Sequence, residues 1–383
     1  MPTSRSPAPE VAAPLRLTAP EAALAQLLAL APGPVAPAAV PAKDALGLVL
    51  AEDIRAAAPV PPAPVARRDG FAVAAAATEG AGPYAPVPLP APPPAISVGE
   101  ALPPGCDAVL PGFDLLAGPF PQALQTLAPG EGVRHPGEDI PAGTLLRPAG
   151  EALAPRDLPA LAALGLDLVA VRRPRLGWIA TGAEMLADPA RDRLRGVVAA
   201  LAPEAALHPL PPIPDEPAAI AAALRGGAPA HDLLLLVGGT GEGPMDGSAE
   251  GLAAAGRLAL HGLGARPGMT AGFGEVAGRP VLLLPGQAED AIAAFLLLGR
   301  PLLAQLAAAR PVAPRRLRLT RKVASAVGLA EFVPLREVAP GEAEPLAVGG
   351  LPPAALAAAS ALLLVPPGSE GFEAGAEVAA LPW

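Results

Sequence analysis

Residues that could bind an anion and a cation surround one apolar segment in the middle of the chain. Leu233–Val237 are consecutive apolar residues, and the turn at residues 238–246, Gly-Gly-Thr-Gly-Glu-Gly-Pro-Met-Asp, follows them. A short apolar run that ends in a turn is typical of a buried strand. Glycine lets the backbone approach a ligand closely, and a helix over residues 247–256 would direct its free N–H groups at an anion. The same pattern is also typical of a strand-to-helix turn that binds nothing.

Carboxylates stand beside other predicted elements of the same region. Residues 181–184, Thr-Gly-Ala-Glu, follow a predicted strand at Arg175–Ala180, and Asp215 precedes a helix that begins at Pro217. The carboxyl ends of parallel strands meet in one crevice, so we expect Glu184, Asp215 and the acidic residues of the glycine turn to lie together there. Such carboxylates suit a hard cation, with magnesium the first candidate, that bridges an anionic ligand. The alternative is that Glu184 and Asp215 only cap helices.

Composition excludes several classes of protein. The 383 residues are 52% hydrophobic, which allows sizeable cores, and their net charge of −9 argues against a nucleic-acid partner. Cys106 is the only cysteine and the four histidines are far apart, so we expect neither a disulfide framework nor a thiolate metal cage. The sequence shows no signal pattern, and Arg300 interrupts its longest apolar segment. We therefore expect a cytoplasmic protein that does not bind membranes.

Strands and helices alternate between residues 173 and 312, whereas proline and glycine break the flanking segments into short strands. Alternation of this kind is typical of a doubly wound α/β sheet. We predict a multidomain α/β fold, in which a doubly wound α/β domain is joined to small β-rich domains and a C-terminal β domain. The predicted parts are residues 1–16 as a disordered N-terminus, 17–55 with 133–172 as an elongated N-terminal domain, 56–132 as an inserted small β domain, 173–312 as the α/β domain, and 313–383 as the C-terminal β domain.

Capping residues and prolines predict where the main helices begin and end. Thr18 is expected to cap a helix that runs to about Leu30. Pro217 suits the first position of a helix that runs to Leu224. A long helix is predicted from Ala288, and another near residues 352–362 in the C-terminal domain.

Eight short motifs follow one another from about Leu17 onward. They lie at residues 68–73, 96–110, 134–140, 181–184, 214–217, 237–246, 265–269 and 284–288. For example, Arg-Asp-Gly-Phe-Ala-Val at 68–73 is similar to M-D-G-Y-A-V, and Ala-Arg-Pro-Gly-Met at 265–269 is similar to K-P-G-K-P. In this order and spacing the chain resembles a divergent member of the molybdopterin molybdenumtransferases, the family of MoeA and the gephyrin E domain.

The resemblance implies a function, ligands and an assembly. Members of this family are elongated homodimers of four-domain subunits, and they bind adenylylated molybdopterin together with molybdate. They release AMP in a magnesium-dependent reaction and leave molybdenum on the dithiolene. The α/β domain would then be the molybdopterin-binding domain, and a molybdoenzyme or other cofactor-synthesis proteins would be further partners.

The resemblance also implies a set of site residues. Catalytic members would be Asp69, Asp139 and Asp246, and magnesium ligands would be Glu184, Asp215 and Asp246. The residues implied in binding the cofactor are Gly238, Gly239, Thr240, Arg266, Pro285 and Gly286. The residue types agree with these roles, because carboxylates hold cations whereas glycine and arginine accommodate phosphates and oxyanions.

Departures from the family pattern remove mainly hydroxyls and cations. The replacements are Val98 for threonine, Gly241 for serine, Pro244 for an acidic residue, Met269 for the second lysine, Gln287-Ala288 for Asn-Pro, Leu329 for arginine, and the loss of a serine near Gly349. Each lost charged hydrogen bond costs about 1.5–3 kcal/mol, unless a residue such as Arg67, Arg68 or Arg279 compensates. Three hypotheses therefore stand: an insertase with an altered site, a non-catalytic molybdopterin-binding carrier or partner of a molybdoenzyme, and a generic α/β nucleotide-binding protein.

Overall fold

The computed structural model describes residues 15–243 and 246–383. Most of the predicted disordered N-terminus, up to residue 14, lies outside the described residues, and so do Pro244 and Met245 of the glycine turn. The described chain forms small sheets in its N-terminal half, a large α/β sheet, and a closed β structure at its C-terminal end.

The N-terminal half consists of short elements. Its helices and strands are α1 (Pro20–Leu30), β1 (Ala38–Pro41), β2 (Val49–Leu50), β3 (Ile54–Arg55), β4 (Val65–Ala66), β5 (Gly70–Val73), β6 (Val87–Pro88), β7 (Ala95–Ile96), β8 (Ala108–Leu110), β9 (Leu115–Leu116), β10 (Gln122–Ala123), β11 (Val133–Arg134), β12 (Leu145–Arg147), α2 (Leu158–Ala163) and β13 (Leu168–Arg172). The strands pair as β1-β13-β2, β12-β3, β11-β4, β7-β5-β8 and β6-β10-β9. Separate clusters of buried residues lie within this half, so it has several small cores.

The α/β region follows. Its elements are β14 (Arg175–Ala180), α3 (Ala183–Ala187), α4 (Leu194–Leu201), β15 (Ala206–Pro209), α5 (Pro217–Gly227), β16 (Leu233–Val237), α6 (Ser248–Ala255), β17 (Arg257–His261), β18 (Ala265–Arg266), β19 (Gly272–Val276), β20 (Arg279–Leu284), α7 (Ala288–Ala294) and α8 (Arg300–Ala307). The sheet order is β15-β14-β16-β20-β19-β17. Strands β15, β14, β16 and β20 are parallel, whereas β19 is antiparallel to both of its neighbours, β20 and β17. The predicted central strand, β16, is therefore confirmed.

Alternation along β16 divides the core of this region into two layers. Leu233 and Leu235 face one side of the sheet, where α1, α7 and α8 cover them, and Leu234 and Leu236 face the other side, against α5 and α6. All four leucines are fully buried. A strand buried on both faces reads as a continuous apolar run, as the sequence of β16 does.

The C-terminal part closes into a barrel. Its elements are β21 (Arg315–Leu319), β22 (Val323–Ala324), β23 (Ala330–Ala339), β24 (Glu342–Pro345), α9 (Pro353–Ala358), β25 (Ala361–Val365), β26 (Gly371–Phe372) and β27 (Glu377–Pro382). Strands β23, β24, β21, β27 and β25 pair in that order, and β25 pairs again with β23. Closure removes the free edges of the sheet. Strand β18 of the α/β region pairs with β23 and so joins the two regions.

Helices α7 and α8 belong to one continuous helical segment, Ala288–Ala307. Within the described residues, this is the segment that is long and apolar enough to cross a membrane. Most of it is buried, and Phe295, Leu302 and Leu306 pack against the sheet. Because core helices also reach this length and apolarity, the feature is weak evidence for a membrane span.

The predicted fold class is confirmed, and two local predictions are wrong. The chain is a multidomain α/β protein with a sheet covered on both faces and a C-terminal β domain. Thr18 does not cap α1, because Ala19 precedes the helix and Thr18 forms a bridge with Leu263 instead. The helix predicted near residues 352–362 ends at Ala358, since Ala361–Val365 pairs as a strand with β23. The predicted division into domains stays a prediction.

Candidate functional site

The carboxyl ends of the three central strands are joined side by side. Thr181 follows β14 and donates its backbone N–H to the carbonyl of Val237, at 2.9 Å. Gly238 follows β16 and donates its N–H to the carbonyl of Leu284, at 3.0 Å. The turns that begin at Thr181, Gly238 and Pro285 therefore meet at one edge of the sheet, where parallel α/β sheets bind ligands. We call this edge the crevice.

The glycine turn requires glycine at its first two positions. Gly238 has φ of 99° and Gly239 has φ of 58°, a region that L side chains rarely adopt. A Cβ at Gly238 would lie 2.8 Å from Thr181 Oγ1, and a Cβ at Gly239 would lie 2.9 Å from Asp215 Oδ1. The turn is tied to α6, because Ser248 Oγ donates to the Gly238 carbonyl at 2.7 Å.

Two buried oxygens face these glycines without a partner. Thr181 Oγ1 and Asp215 Oδ1 are shielded from solvent, and neither has a hydrogen-bond partner among the described residues. A buried polar group without a partner costs about 1–3 kcal/mol, and more when it is charged. A donor or a cation that a ligand brings would remove this cost. This arrangement is what distinguishes the turn from an ordinary strand-to-helix connection.

The rest of the turn is braced from the antiparallel side of the sheet. Thr240 Oγ1 lies 3.1 Å from Thr270 Oγ1, and the Thr240 carbonyl lies 2.9 Å from His261 Nε2. Gly286 approaches the turn from the next strand, since a Cβ on it would lie 3.6 Å from Gly238 Cα. The crevice thus brings together five of the residues predicted to bind the cofactor. They are Gly238, Gly239, Thr240, Pro285 and Gly286.

The predicted magnesium ligands lie around the same edge but make separate contacts. Asp246 Oδ2 accepts a hydrogen bond from Gly243 N–H at 2.8 Å, so its carboxylate closes its own turn. Glu184 is exposed, and its carboxylate lies over Gly182. Among residues 15–243 and 246–383, no three acidic, histidine or cysteine side chains form a group that could hold a metal. Asp215 Oδ1 and Thr181 Oγ1 are nevertheless hard oxygen donors that fit magnesium, which often binds through few protein ligands and a phosphate.

The helix-capping alternative does not describe Asp215. Helix α5 is preceded by Glu216, and no side chain of the described chain caps its first turn. Asp215 stands one residue further back, with its backbone carbonyl packed against Gly247 and its Oδ1 near the glycine turn. Asp215 therefore lies where a ligand-binding carboxylate would.

Arg266 makes its ion pair with the C-terminal barrel. Its guanidinium contacts Glu331, a fully buried residue of the barrel strand β23. Burial pushes the pKa of Glu331 upward, but hydrogen bonds from Ser325, Arg266 and Ala326 N–H outweigh it and hold this pKa below its ordinary value. The following residues turn toward α7, where Gly268 N–H donates to Asp290 Oδ1 at 2.6 Å.

Asp69 and Asp139 make their described hydrogen bonds in the N-terminal half of the chain, and neither makes a described hydrogen bond with a residue of the crevice. Asp69 Oδ1 accepts from Val98 N–H at 2.8 Å, in the small sheets of the N-terminal half. Asp139 Oδ2 lies 3.0 Å from Arg134 Nη1 in the same half of the chain. Both carboxylates are exposed. Their catalytic roles stay predictions.

Sequence reasoning did not select several residues that shape the crevice. They are Thr181, Ser248, His261 and Thr270. The sequence could have indicated Thr181, because it is the first residue of the motif Thr-Gly-Ala-Glu. Nothing in the sequence marks Ser248, His261 or Thr270, since their contacts depend on how α6 and β17 pack on the turn.

Comparison with known families matches both halves of the chain. The profile of the MoeA N-terminal region (domain I and II) matches residues 18–165. A profile described as a probable molybdopterin binding domain matches residues 177–305. The second match contains the whole crevice.

Individual relatives agree with these matches. Molybdopterin molybdenumtransferase 2 of Mycobacterium tuberculosis is 31% identical over 314 residues, which cover 69% of this chain and 74% of that protein. A Methanocaldococcus jannaschii protein named for molybdopterin biosynthesis is 29% identical over 363 residues, which cover 87% of this chain and 88% of that protein. The crystal structure of a molybdopterin biosynthesis MoeA protein from Pyrococcus horikoshii is similar with a TM-score of 0.73 and 26% identity, over 96% of this chain and 99% of that chain. The chain therefore belongs to the MoeA family of molybdopterin molybdenumtransferases, which act in molybdenum cofactor biosynthesis.

Proposed function

We propose that the protein inserts molybdate into adenylylated molybdopterin and releases AMP in a magnesium-dependent reaction. The observation that supports this most is the pair of unpartnered buried oxygens, Thr181 Oγ1 and Asp215 Oδ1, beside the Gly238-Gly239 turn. A binding site for a phosphorylated ligand and its counter-cation gives both oxygens partners. Membership of the family supplies the chemical context, and the site assignments are our own.

Each group of residues has a defined part in this proposal. Gly238 and Gly239 admit the ligand to the backbone, because a side chain there would collide with Thr181 or Asp215. Asp215 and Thr181, with Glu184 nearby, would hold magnesium, which when bound would supply charge neutralisation for an adenylate phosphate. Asp246 keeps the turn closed through Gly243 N–H.

A second candidate function is non-catalytic molybdopterin binding, as a carrier or as a partner of a molybdoenzyme. One observation favours it: Arg266, the cation expected to hold an anion, is already paired with the buried Glu331. Met269 is 37% exposed where the family has a second lysine, so this loop offers no other cation at that position. Molybdate is an anion and needs such donors.

Release of AMP separates the two candidates. The purified protein should release AMP from adenylyl-molybdopterin when molybdate and magnesium are both supplied, and chelation of magnesium should stop it. Pterin that stays bound without release of AMP would support the non-catalytic candidate. If neither pterin nor its adenylate binds, both candidates fail.

The variant Asp246→Ala tests the turn itself. It should abolish AMP release, because the carboxylate closes the turn through Gly243 N–H. The matched control is Glu250→Ala, an exposed acidic residue on the adjacent α6 that should keep full activity. Unchanged activity of Asp246→Ala would remove Asp246 from the site.

We further propose that the protein works in the cytoplasm as a homodimer. Light scattering should give twice the chain mass of 37.8 kDa. A single chain mass at working concentration would refute the dimer.

A further inference from the structure

A second polar cluster lies at the opposite edge of the α/β sheet from the crevice. Arg175 begins β14, Asp232 immediately precedes β16, and Arg279 begins β20. These three strands are adjacent and parallel, so the three side chains stand in a row at the amino edge. Neighbouring strands are about 4.8 Å apart, which places the two arginines on either side of the aspartate.

The row forms one wall of a cavity of about 450 Å³. The other walls are the loop at residues 32–36, which leaves α1, and Arg173, which leaves β13. Small-ligand sites in proteins have volumes of about 300–1,000 Å³. The loop is Pro-Gly-Pro-Val-Ala and brings no charged side chain, so the arginines and Asp232 decide the electrostatics of the cavity.

The charges of the cavity do not balance. Both carboxylate oxygens of Asp232 accept hydrogen bonds from Arg175. Oδ2 accepts from the Arg175 backbone N–H at 2.8 Å and from its Nε at 3.3 Å, and Oδ1 accepts from its Nη2 at 3.3 Å. Arg279 Nη1 is 3.8 Å from Asp232, too far for a hydrogen bond. In the described part of the chain, no acidic side chain pairs with Arg173. The cavity therefore has two guanidinium groups whose hydrogen-bonding capacity is not used by protein carboxylates.

We propose that this cavity binds a small anion through a phosphate group. Guanidinium groups match phosphate oxygens with paired hydrogen bonds, and a phosphate dianion neutralises two of them. The cavity can hold a phosphate or a nucleoside monophosphate, and the chain's net charge of −9 disfavours a polymeric phosphate. The site is separate from the proposed insertase site, because it uses the amino ends of the strands whose carboxyl ends form the crevice.

Titration calorimetry on the full chain, with inorganic phosphate and with AMP as separate probes, tests the proposal. Arg173→Gln and Arg279→Gln should each weaken binding of the probe by on the order of tenfold, because each removes a charged pair of hydrogen bonds. The matched control is Arg191→Gln, whose guanidinium is 67% exposed and pairs with Asp188 elsewhere on the surface. The control should bind like the unchanged protein.

The outcomes separate clearly. Tighter binding of AMP than of phosphate, weakened in both cavity variants, would support the proposal and identify a nucleotide site. Equal binding of the two probes, weakened in both cavity variants, would support it as a phosphate site. Absence of binding to the unchanged protein would overturn it. Equal affinities of the cavity variants and the control would also overturn it, and would place any bound phosphate elsewhere, including at the crevice. Circular dichroism of each variant checks that these surface substitutions leave the fold intact.

Discussion

At the level of single residues, Asp215 and Thr181 show what a sequence can and cannot reveal about a site. Asp215 can be selected from its charge and from the helix that follows it, but helix capping is the more common role of such a residue. The structure distinguishes the two, since Asp215 Oδ1 is buried without a partner among the described residues. Thr181 has the same property, but its place at the start of the motif Thr-Gly-Ala-Glu does not show that its hydroxyl is buried. Its burial depends on the close approach of Gly238, which is a long-range contact.

Replacing Asp215 with asparagine should separate ligand binding from stability. Asparagine keeps the volume and removes the charge, so the ligand-free protein should gain about 1 kcal/mol in its free energy of unfolding. Magnesium-dependent AMP release should fall by about two orders of magnitude, because a cation ligand is lost. Urea unfolding and the AMP assay measure the two effects.

The exposed neighbour Glu216 provides the control for this experiment. Glu216→Gln should change neither unfolding nor AMP release. A loss of stability in Asp215→Asn together with full activity would mean that Asp215 has a structural role and does not hold the cation.

Glu331 should make the stability of the protein depend on pH. Its pKa in the folded state lies below the ordinary value of 4.5, so the unfolded chain takes up a proton at higher pH than the folded chain does. The stabilisation is therefore fully present above pH 4.5 and is lost as the pH falls through the folded pKa. At about pH 7, Glu331→Gln should lower the free energy of unfolding by about 1–3 kcal/mol, and this difference should shrink on acidification.

Urea unfolding at a series of pH values measures that difference. The exposed Glu370 of the same barrel is a suitable control, and Glu370→Gln should match the unchanged protein at every pH. A difference between Glu331→Gln and the unchanged protein that does not vary with pH would contradict the assignment. The variant also frees Arg266, so stronger binding of molybdate to it would show that the ion pair competes with the anion.

At the level of elements, prediction succeeded where the pattern was long and local. Strand β14 has the predicted bounds, and β16 matches the strand predicted from its apolar run. The misses depend on contacts between distant residues. The helix predicted near residues 352–362 overlaps a strand, because Ala361–Val365 pairs with β23. The many two-residue strands of the N-terminal half are too short to carry a periodic signal and exist only through pairing.

The tight fit of the glycine turn can be tested by comparing two glycines. Gly239 has φ of 58°, and a Cβ on it would meet Asp215 Oδ1 at 2.9 Å and Ser248 Oγ at 3.1 Å. Gly278, in the turn between β19 and β20, has φ of 72° and nothing within 4 Å of a Cβ. Alanine at either position costs about 1–2 kcal/mol for its left-handed conformation. Gly239→Ala should lose a further 1–3 kcal/mol, by rough estimate, from overpacking.

Function should separate the two variants further. Gly278→Ala should keep AMP release, whereas Gly239→Ala should lose it because the alanine methyl fills the space beside Asp215. Urea unfolding and the AMP assay give both comparisons. Equal behaviour of the two variants would mean that the turn adjusts without effect on the crevice.

At the level of the whole molecule, the order of motifs predicted the family but not how the parts are arranged. Helix α1 lies in the predicted N-terminal part of the chain, and its Ala23 and Leu27 pack in the core of the α/β sheet. The barrel is joined to the α/β region through β18 and the Arg266–Glu331 pair, which connect residues 65 positions apart. Such contacts leave no local signal in the sequence. Asp69 and Asp139 both belong to the ordered motifs. Their described contacts nevertheless stay within the N-terminal half, which the order of the motifs does not show.

Because the described contacts of Asp69 stay within the N-terminal half, a prediction about the proposed dimer follows. If Asp69 acts at a crevice, we expect it to act at the crevice of a second copy of the chain. Each site then combines Asp69 of one copy with Asp215 of the other. Asp69→Asn and Asp215→Asn should each be inactive alone. After unfolding and refolding as a one-to-one mixture, half of the dimers contain both variants and each of these has one intact site, so about a quarter of the activity should return. Mixing two preparations of the same variant is the control and should restore nothing. A mixture that stays inactive although light scattering shows dimers would mean that Asp69 does not serve the crevice of the other copy.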